Sequence, residues 1–153
     1  MVSMKIGCRA IQVYNRQRAV RFDFSWLRGF APVALAECEG EGVVQGAALD
    51  SLEEIEVSIV SDRAIAEVHR RFMNIAGATD VITFEHGEIV ISAATAMRYA
   101  REYSVPIEHE LGLYIIHGLL HLNGYDDLAE PAASRMKEAQ AIMLRRVLGL
   151  VGE

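Results

Sequence analysis

His117-Gly118-Leu119-Leu120-His121-Leu122-Asn123-Gly124-Tyr125-Asp126-Asp127 decides how the rest of the chain is read. Two histidines stand four apart inside an apolar, helix-forming run. That spacing puts both imidazoles on one helix face, one turn apart, which is how a helix offers two nitrogen ligands to one metal ion. Gly124 follows and suits the left-handed turn that ends a helix. Asp127, just past the turn, can swing a carboxylate back toward the histidines. The expectation is a His117/His121/Asp127 site with a fourth position open, the mark of a catalytic rather than a structural zinc centre. Paired histidines at this spacing also occur without metal. Here, though, they sit in an apolar stretch, Leu111 to Leu122, where an unpaired polar group is costly.

The pattern H-x-x-x-H-x-x-G-x-x-D is similar to that of the metzincin proteases, in which the residue after the first His is a Glu that acts as general base. Here it is Gly118, which neither takes nor gives a proton. The scaffold resembles a protease's and lacks its base.

The same residues resemble the YbeY family of metal-dependent endoribonucleases, the bacterial rRNA maturation factors, whose motif reads H-G-x-L-H-L-x-G-Y-D-H. His117 to Asp126 match it throughout. Thr79-Asp80-Val81-Ile82-Thr83-Phe84 is similar to the family's P-T-D-V-L-S-F, and Gly87-Glu88-Ile89-Val90-Ile91 to its G-D-I-V-I. The resemblance covers roughly residues 50 to 150 well and the N-terminal third loosely. It implies a single-strand-specific, zinc-dependent endoribonuclease acting in 16S rRNA 3'-end maturation and ribosome quality control. It further implies one Zn2+ per chain, an rRNA precursor and the small ribosomal subunit as partners, and a cytoplasmic location. DNA is not an expected partner. Two positions depart from the family. Its third ligand is usually His, where this chain has Asp127, itself a competent zinc ligand. Its Tyr-Arg pair, whose arginine is thought to act in the reaction, falls by ungapped counting on Phe72 and Met73. Arg70 and Arg71 lie close by, and Arg71 is the favoured replacement.

Working outward, 153 residues suit one domain, taken as 1–153. A hydrophobic share of 52% argues against disorder. Cys8 and Cys38 fit buried thiols in a reducing compartment better than a disulfide scaffold. Lys5 and Arg9 interrupt any apolar leader at Met1. The longest apolar stretch is too short to cross a bilayer, so no membrane association is expected. A net charge of −6 argues against broad nucleic-acid binding. Local basic clusters remain at Arg16, Arg18 and Arg21, at Arg63, Arg70 and Arg71, and at Arg145 and Arg146.

Arg9 to Tyr14 and Glu54 to Val60 alternate as strands. Asp80 to Phe84 and Glu88 to Ser92 read as short central strands. Helices are expected over Asp23 to Glu39, with Trp26 in the core, and over the segment that Asp62 caps and Gly77 breaks. That segment buries Ile65, Val68 and Phe72. Further helices are expected over Ala93 to Tyr103, from Pro106 to Asn123, and over about Glu130 to Leu148. Glu39 to Asp50 reads as loop. Glu110 reads as a helix-start charge rather than a ligand, Asp126 as a cap for the turn, and His86 as an exposed loop residue rather than an alternative ligand or a substrate contact. The fold class is therefore α+β: one small mixed sheet of about four strands covered by helices, with the metal site on a helix and the turn after it.

If metal is bound, phosphodiester hydrolysis by metal-activated water is the expected chemistry. No general base stands beside the site in sequence, although Glu88 is a possible helper. Two other readings stay open: a zinc-binding ribosome-assembly protein without hydrolytic activity, and a metalloprotease-like hydrolase. Oligomeric state is not legible.

Overall fold

β-branched and apolar runs set the sheet, and everything else packs on its two faces. A computed structural model describes residues 9–152; Cys8, Lys5 and Met1 lie outside them. The order is β1 (Ala10–Asn15), α1 (Phe24–Glu41), α2 (Ala48–Ser51), β2 (Glu54–Val60), α3 (Asp62–Met73), β3 (Val81–Phe84), β4 (Glu88–Ser92), α4 (Ala93–Tyr103), α5 (Ile107–Leu122) and α6 (Ala132–Val151). The sheet runs β1-β2-β4-β3. β1 and β2 pair in parallel, as do β2 and β4, while β3 runs antiparallel to β4. This is the α+β arrangement with a four-stranded mixed sheet that the sequence implies.

Alternation in β2 divides the core. Ile55, Val57 and Ile59 point to the larger face, joined by Ile89 and Ile91 of β4 and covered by α1, α5 and α6. Val60 and Val90 point the other way, onto Ile65 of α3 and Ile82 of β3. α5 is the hub of the large face. It packs on α1, α4, α6 and the β3–β4 pair, and Leu111, Ile115, Ile116 and Leu119 are fully enclosed.

The structure corrects several expectations. β3 is an edge strand, not a central one. A tight turn at Glu85-His86-Gly87 sends the chain straight back, with Gly87 at φ 104° and its N–H on the Phe84 carbonyl at 2.9 Å. Because β2 already holds the inner side of β4, β3 is left outside. α3 is capped by the Ser61 side chain, which accepts from the Ala64 N–H at 3.1 Å, rather than by Asp62. α3 ends at Asn74, left-handed at φ 54°, before Gly77 is reached. Phe72 is 64% exposed rather than on the buried side, and its ring meets Phe84 edge-on. The segment read as loop contains α2, whose Leu49 is buried. Trp26 is half-buried against the core, its indole N–H on the Gly152 carbonyl.

Candidate metal centre

α5 is placed by two glycines that bring it unusually close to its neighbours. A methyl group at Gly112 would stand 2.7 Å from the Phe30 ring of α1. At Gly118 it would stand 2.6 to 2.9 Å from three atoms of the Ile89 side chain on β4. The residue between the paired histidines is therefore small because the helix rests there on the sheet. A glutamate at that position has no room, and the protease-like reading loses its general base on steric grounds.

The end of α5 is anchored by the buried Asn123. Its carboxamide accepts from the Val44 N–H at 2.9 Å and donates to the Gly42 carbonyl at 3.0 Å. Gly124 follows at φ 97°, and the Gly124 and Tyr125 N–H groups close on the His121 and Leu120 carbonyls. The glycine is thus used as expected. Asp126 Oδ1 accepts from the Leu128 N–H at 2.8 Å, a capping contact that fixes the turn.

That turn delivers Asp127 to His117. His117 Nε2 lies 3.4 Å from Asp127 Oδ2, with the imidazole 23% exposed. On the other side of the ring, Nδ1 lies 2.9 Å from Gln140 Oε1 on α6. Facing a carboxamide oxygen, Nδ1 must carry the proton, so a neutral imidazole presents a bare Nε2 lone pair to a carboxylate. Two acceptors at that distance call for a cation between them, either a proton or a metal ion. Donors on one tetrahedral zinc, with bonds of about 2.0–2.2 Å, stand about 3.4 Å from each other. The pair therefore fits zinc in spacing and in ligand chemistry, with the back nitrogen held by a hydrogen bond as metal-bound histidines usually are. His121 is half-exposed one turn further along α5. The fit extends to two of the three donors: among the described residues no group of three or more His, Cys, Asp or Glu side chains is assembled as a metal cage.

The other sequence candidates lie elsewhere. Arg70 is exposed and held by Glu67 at 2.6 Å. Arg71 is exposed, its guanidinium 5.8 Å from the Phe72 ring centre, and makes no ion pair among the described residues. Neither lines the cleft beside His117. His86 and Glu88 pair with each other at 3.3 Å beside a separate groove on the sheet, with Gln12, Tyr14, Glu54 and Glu56. Other arginines are occupied too: Arg16 with Glu56, Arg98 with Asp62, and Arg146 with Glu41.

Of two residues near the site, one was missed in the sequence and one was misread. Gln140 interrupts the apolar stripe of Met136, Met143 and Val147 on α6; one polar residue at core spacing was the available signal. Glu110 is buried rather than a solvated helix-start charge. Burial pushes its carboxyl above the ordinary range, helped by the charge of Asp80 and opposed by Tyr114.

The family model described as Endoribonuclease YbeY matches residues 12–148. The chain belongs to the Endoribonuclease YbeY family. Among curated proteins it is similar to Endoribonuclease YbeY of Alkaliphilus metalliredigens, with 29% identity over 94% of this chain and 98% of the relative. It is 31% identical to Endoribonuclease YbeY of Flavobacterium psychrophilum over 88% of this chain and 94% of the relative. Among solved structures it is similar to the solution structure of TM1509 from Thermotoga maritima, with a TM-score of 0.61 and 26% identity over 92% of this chain and 89% of that one. The YbeY match takes in all three sequence blocks and every side chain of the His117 site. No helix among the described residues is long and apolar enough to cross a membrane.

Proposed function

We propose that this YbeY family member is a zinc-dependent endoribonuclease that hydrolyses single-stranded RNA. Its proposed substrate is an rRNA precursor on the small ribosomal subunit, cut in 16S rRNA 3'-end maturation and ribosome quality control in the cytoplasm. The observation that carries the reading is the 3.4 Å separation of His117 Nε2 and Asp127 Oδ2, with Nδ1 engaged by Gln140. His117, His121 and Asp127 would hold one zinc ion. When bound, zinc supplies a Lewis acid for a phosphoryl oxygen and lowers the pKa of a bound water.

The chain's own groups prepare that site. Gln140 fixes the tautomer and aims Nε2. Gly118 seats α5 on the sheet, so His117 keeps its place relative to the cleft. The cleft also carries Asp80 and Glu110, with Lys137 on the α6 side. The negative charge of Asp80 and Asp127 beside the path of a phosphodiester, which Lys137 offsets only in part, supports a metal-dependent reaction. Arg71, free of ion pairs among the described residues where Arg70 is not, is the proposed arginine contact for RNA phosphate.

Elemental analysis of the purified protein should give about one zinc per chain, the one-ion stoichiometry of a three-ligand site. The His117→Ala, His121→Ala double variant should lose both metal and cleavage of single-stranded RNA. Near-stoichiometric zinc in that variant would sink the site. A metal-loaded protein that leaves RNA intact would leave a zinc-binding assembly protein instead.

A further inference from the structure

The cleft beside His117 is larger than one phosphate requires and is walled by aromatic rings. It measures about 530 Å³ and is lined by side chains from α4, α5, α6 and the start of β3. On α4, Tyr99 and Tyr103 lie one turn apart with ring centres 5.8 Å from each other and planes within 13°. They are 39% and 60% exposed. Apolar rings this open at the edge of a cleft contribute little to the core. Their flat faces suit a partner that is itself flat.

Below them is a polar residue whose bonding is unmet. Tyr114 is 5% exposed, and its buried hydroxyl has no hydrogen-bond partner among the described residues. Glu110, one turn back on α5, is near enough for the two groups to act on each other's protons, yet no well-formed hydrogen bond joins them. An unpartnered buried hydroxyl is costly. Such a group in a folded chain calls for a reason, and a ligand that satisfies it is one. Lys137 stands on the α6 wall and has no ion pair among the described residues.

We propose that this cleft is a base-binding subsite for the nucleotide next to the phosphodiester at His117. The Tyr99–Tyr103 pair stacks on the base, the Tyr114 hydroxyl and Glu110 carboxyl meet its polar edge, and Lys137 takes a neighbouring phosphate. This rests on the RNA reading above and adds to it where one base of the strand is held. Aromatic stacking tolerates any base, since each has a π-face. The Watson–Crick edge of every unpaired base also offers a donor beside an acceptor, so the subsite senses the presence of a base more than its identity. It also requires an unpaired base, which a duplex does not present.

The test uses short single-stranded RNAs carrying one 2-aminopurine, or one abasic residue, at successive positions. With the natural chain, one position should show quenched 2-aminopurine fluorescence. Loss of the base there should weaken binding roughly 5–150-fold, the span of one aromatic–base stack. Tyr103→Leu and Tyr99→Leu should remove the quench and bind base and abasic strands alike. Tyr103→Trp should restore both. Tyr114→Phe separates a structural role from a binding one: with the unmet hydroxyl gone, the melting temperature should rise while affinity for RNA falls. Lys137→Ala should lower the salt slope of binding by about one. If the natural chain binds and cuts RNA but the tyrosine variants keep full quenching and base discrimination, the subsite is wrong and the nuclease reading stands. If the natural chain binds no single-stranded RNA, both fall.

Discussion

Gly118→Ala asks whether the helix that carries the histidines rests on the sheet as closely as the structure has it. Two opposing effects meet at this position. Alanine favours a helix interior over glycine by about 1 kcal/mol. Against that, the new methyl would lie 2.6 Å from Ile89 Cδ1 and 2.9 Å from both Cγ1 and Cγ2. Ile89 is fully buried in β4, flanked by β2 and β3, so its branched side chain has no free rotamer to yield into. Overpacking of this kind typically costs about 1–3 kcal/mol. With three atoms inside contact distance the upper part of that range applies, leaving a net loss of about 1–2 kcal/mol. For a chain of this size that lowers the melting temperature by about 2–8 °C. Gly149→Ala is the matched control. It lies in α6, is exposed, and has nothing within 4 Å of the added methyl, so the same substitution should stabilise by up to about 1 kcal/mol. Thermal unfolding followed by circular dichroism reads both. Ile89→Val removes the nearest atom and should recover part of the Gly118→Ala loss in the double variant, a coupling of about 0.5 kcal/mol or more. Equal stabilisation by the two alanines would refute the close approach and reopen a larger residue at 118.

Three further outcomes follow from buried groups. Burial, reinforced by the charges of Glu39 and Glu41, pushes the Cys38 thiol up to about 12. Native Cys38 should therefore resist iodoacetamide at pH 8 and react only after unfolding, read by peptide mass spectrometry; rapid native labelling would contradict its placement. Glu39 and Arg9 form a buried ion pair at 2.8 Å, so Glu39→Ala should cost about 3–5 kcal/mol in urea unfolding, and a loss under about 1 kcal/mol, as for a surface pair, would place the pair at the surface. The Glu110 carboxyl, raised by burial, is favoured in its protonated form by the fold. Its contribution is intact below its ordinary value of 4.5 and is lost as pH rises through the higher folded value. Glu110→Gln should match the natural chain in melting temperature near pH 4 and exceed it increasingly toward pH 7, with Asp80 and Tyr114 as the neighbouring groups that shape the curve; an advantage that shrinks as pH rises would reverse the sign and the assignment.

Periodicity read the elements well where one face is apolar and the other wet. Glu54–Val60 and Ala93–Tyr103 stand as expected because alternation or helical spacing there coincides with burial, and Glu88–Ser92 stands because a short β-branched run suits a strand buried on both faces. It failed where tertiary context decides. β3 has the composition of a central strand but is placed at the edge by its hairpin with β4. Phe72 continues the apolar stripe of α3 past the end of the surface available to cover it. Glu110 looks like a helix-start charge because its sequence position is right for one; only packing against α4 and the start of β3 encloses it. The His117–Asp127 meeting was legible from spacing and the Gly124 turn. Gln140 announced itself only as one polar residue at core spacing; its partner lies 23 residues away, and no local pattern names the far end of a long-range hydrogen bond. The arginine expected to serve the reaction was placed by counting from a motif, and counting says nothing of which way a helix faces.

The two proposed metal donors, His117 and Asp127, are held with different firmness, and that difference has a physical source. His117 sits on a helix locked by Gly112, Gly118 and Asn123 and is held at its back nitrogen by Gln140. Asp127 lies in an exposed turn whose fixed points are the Gly124 conformation and the Asp126 cap. Moving the imidazole means moving α5, and with it much of the larger core. Moving the carboxylate means adjusting a few surface dihedrals. The chain therefore fixes the His117 imidazole by packing and leaves the Asp127 carboxylate free to adjust to the proposed cation. Position 127 is also the one at which this chain has aspartate where the motif it resembles ends in histidine. A substitution is tolerated most readily where the fewest core contacts constrain the side chain, so the departure from the family falls at the donor whose exchange disturbs the fold least.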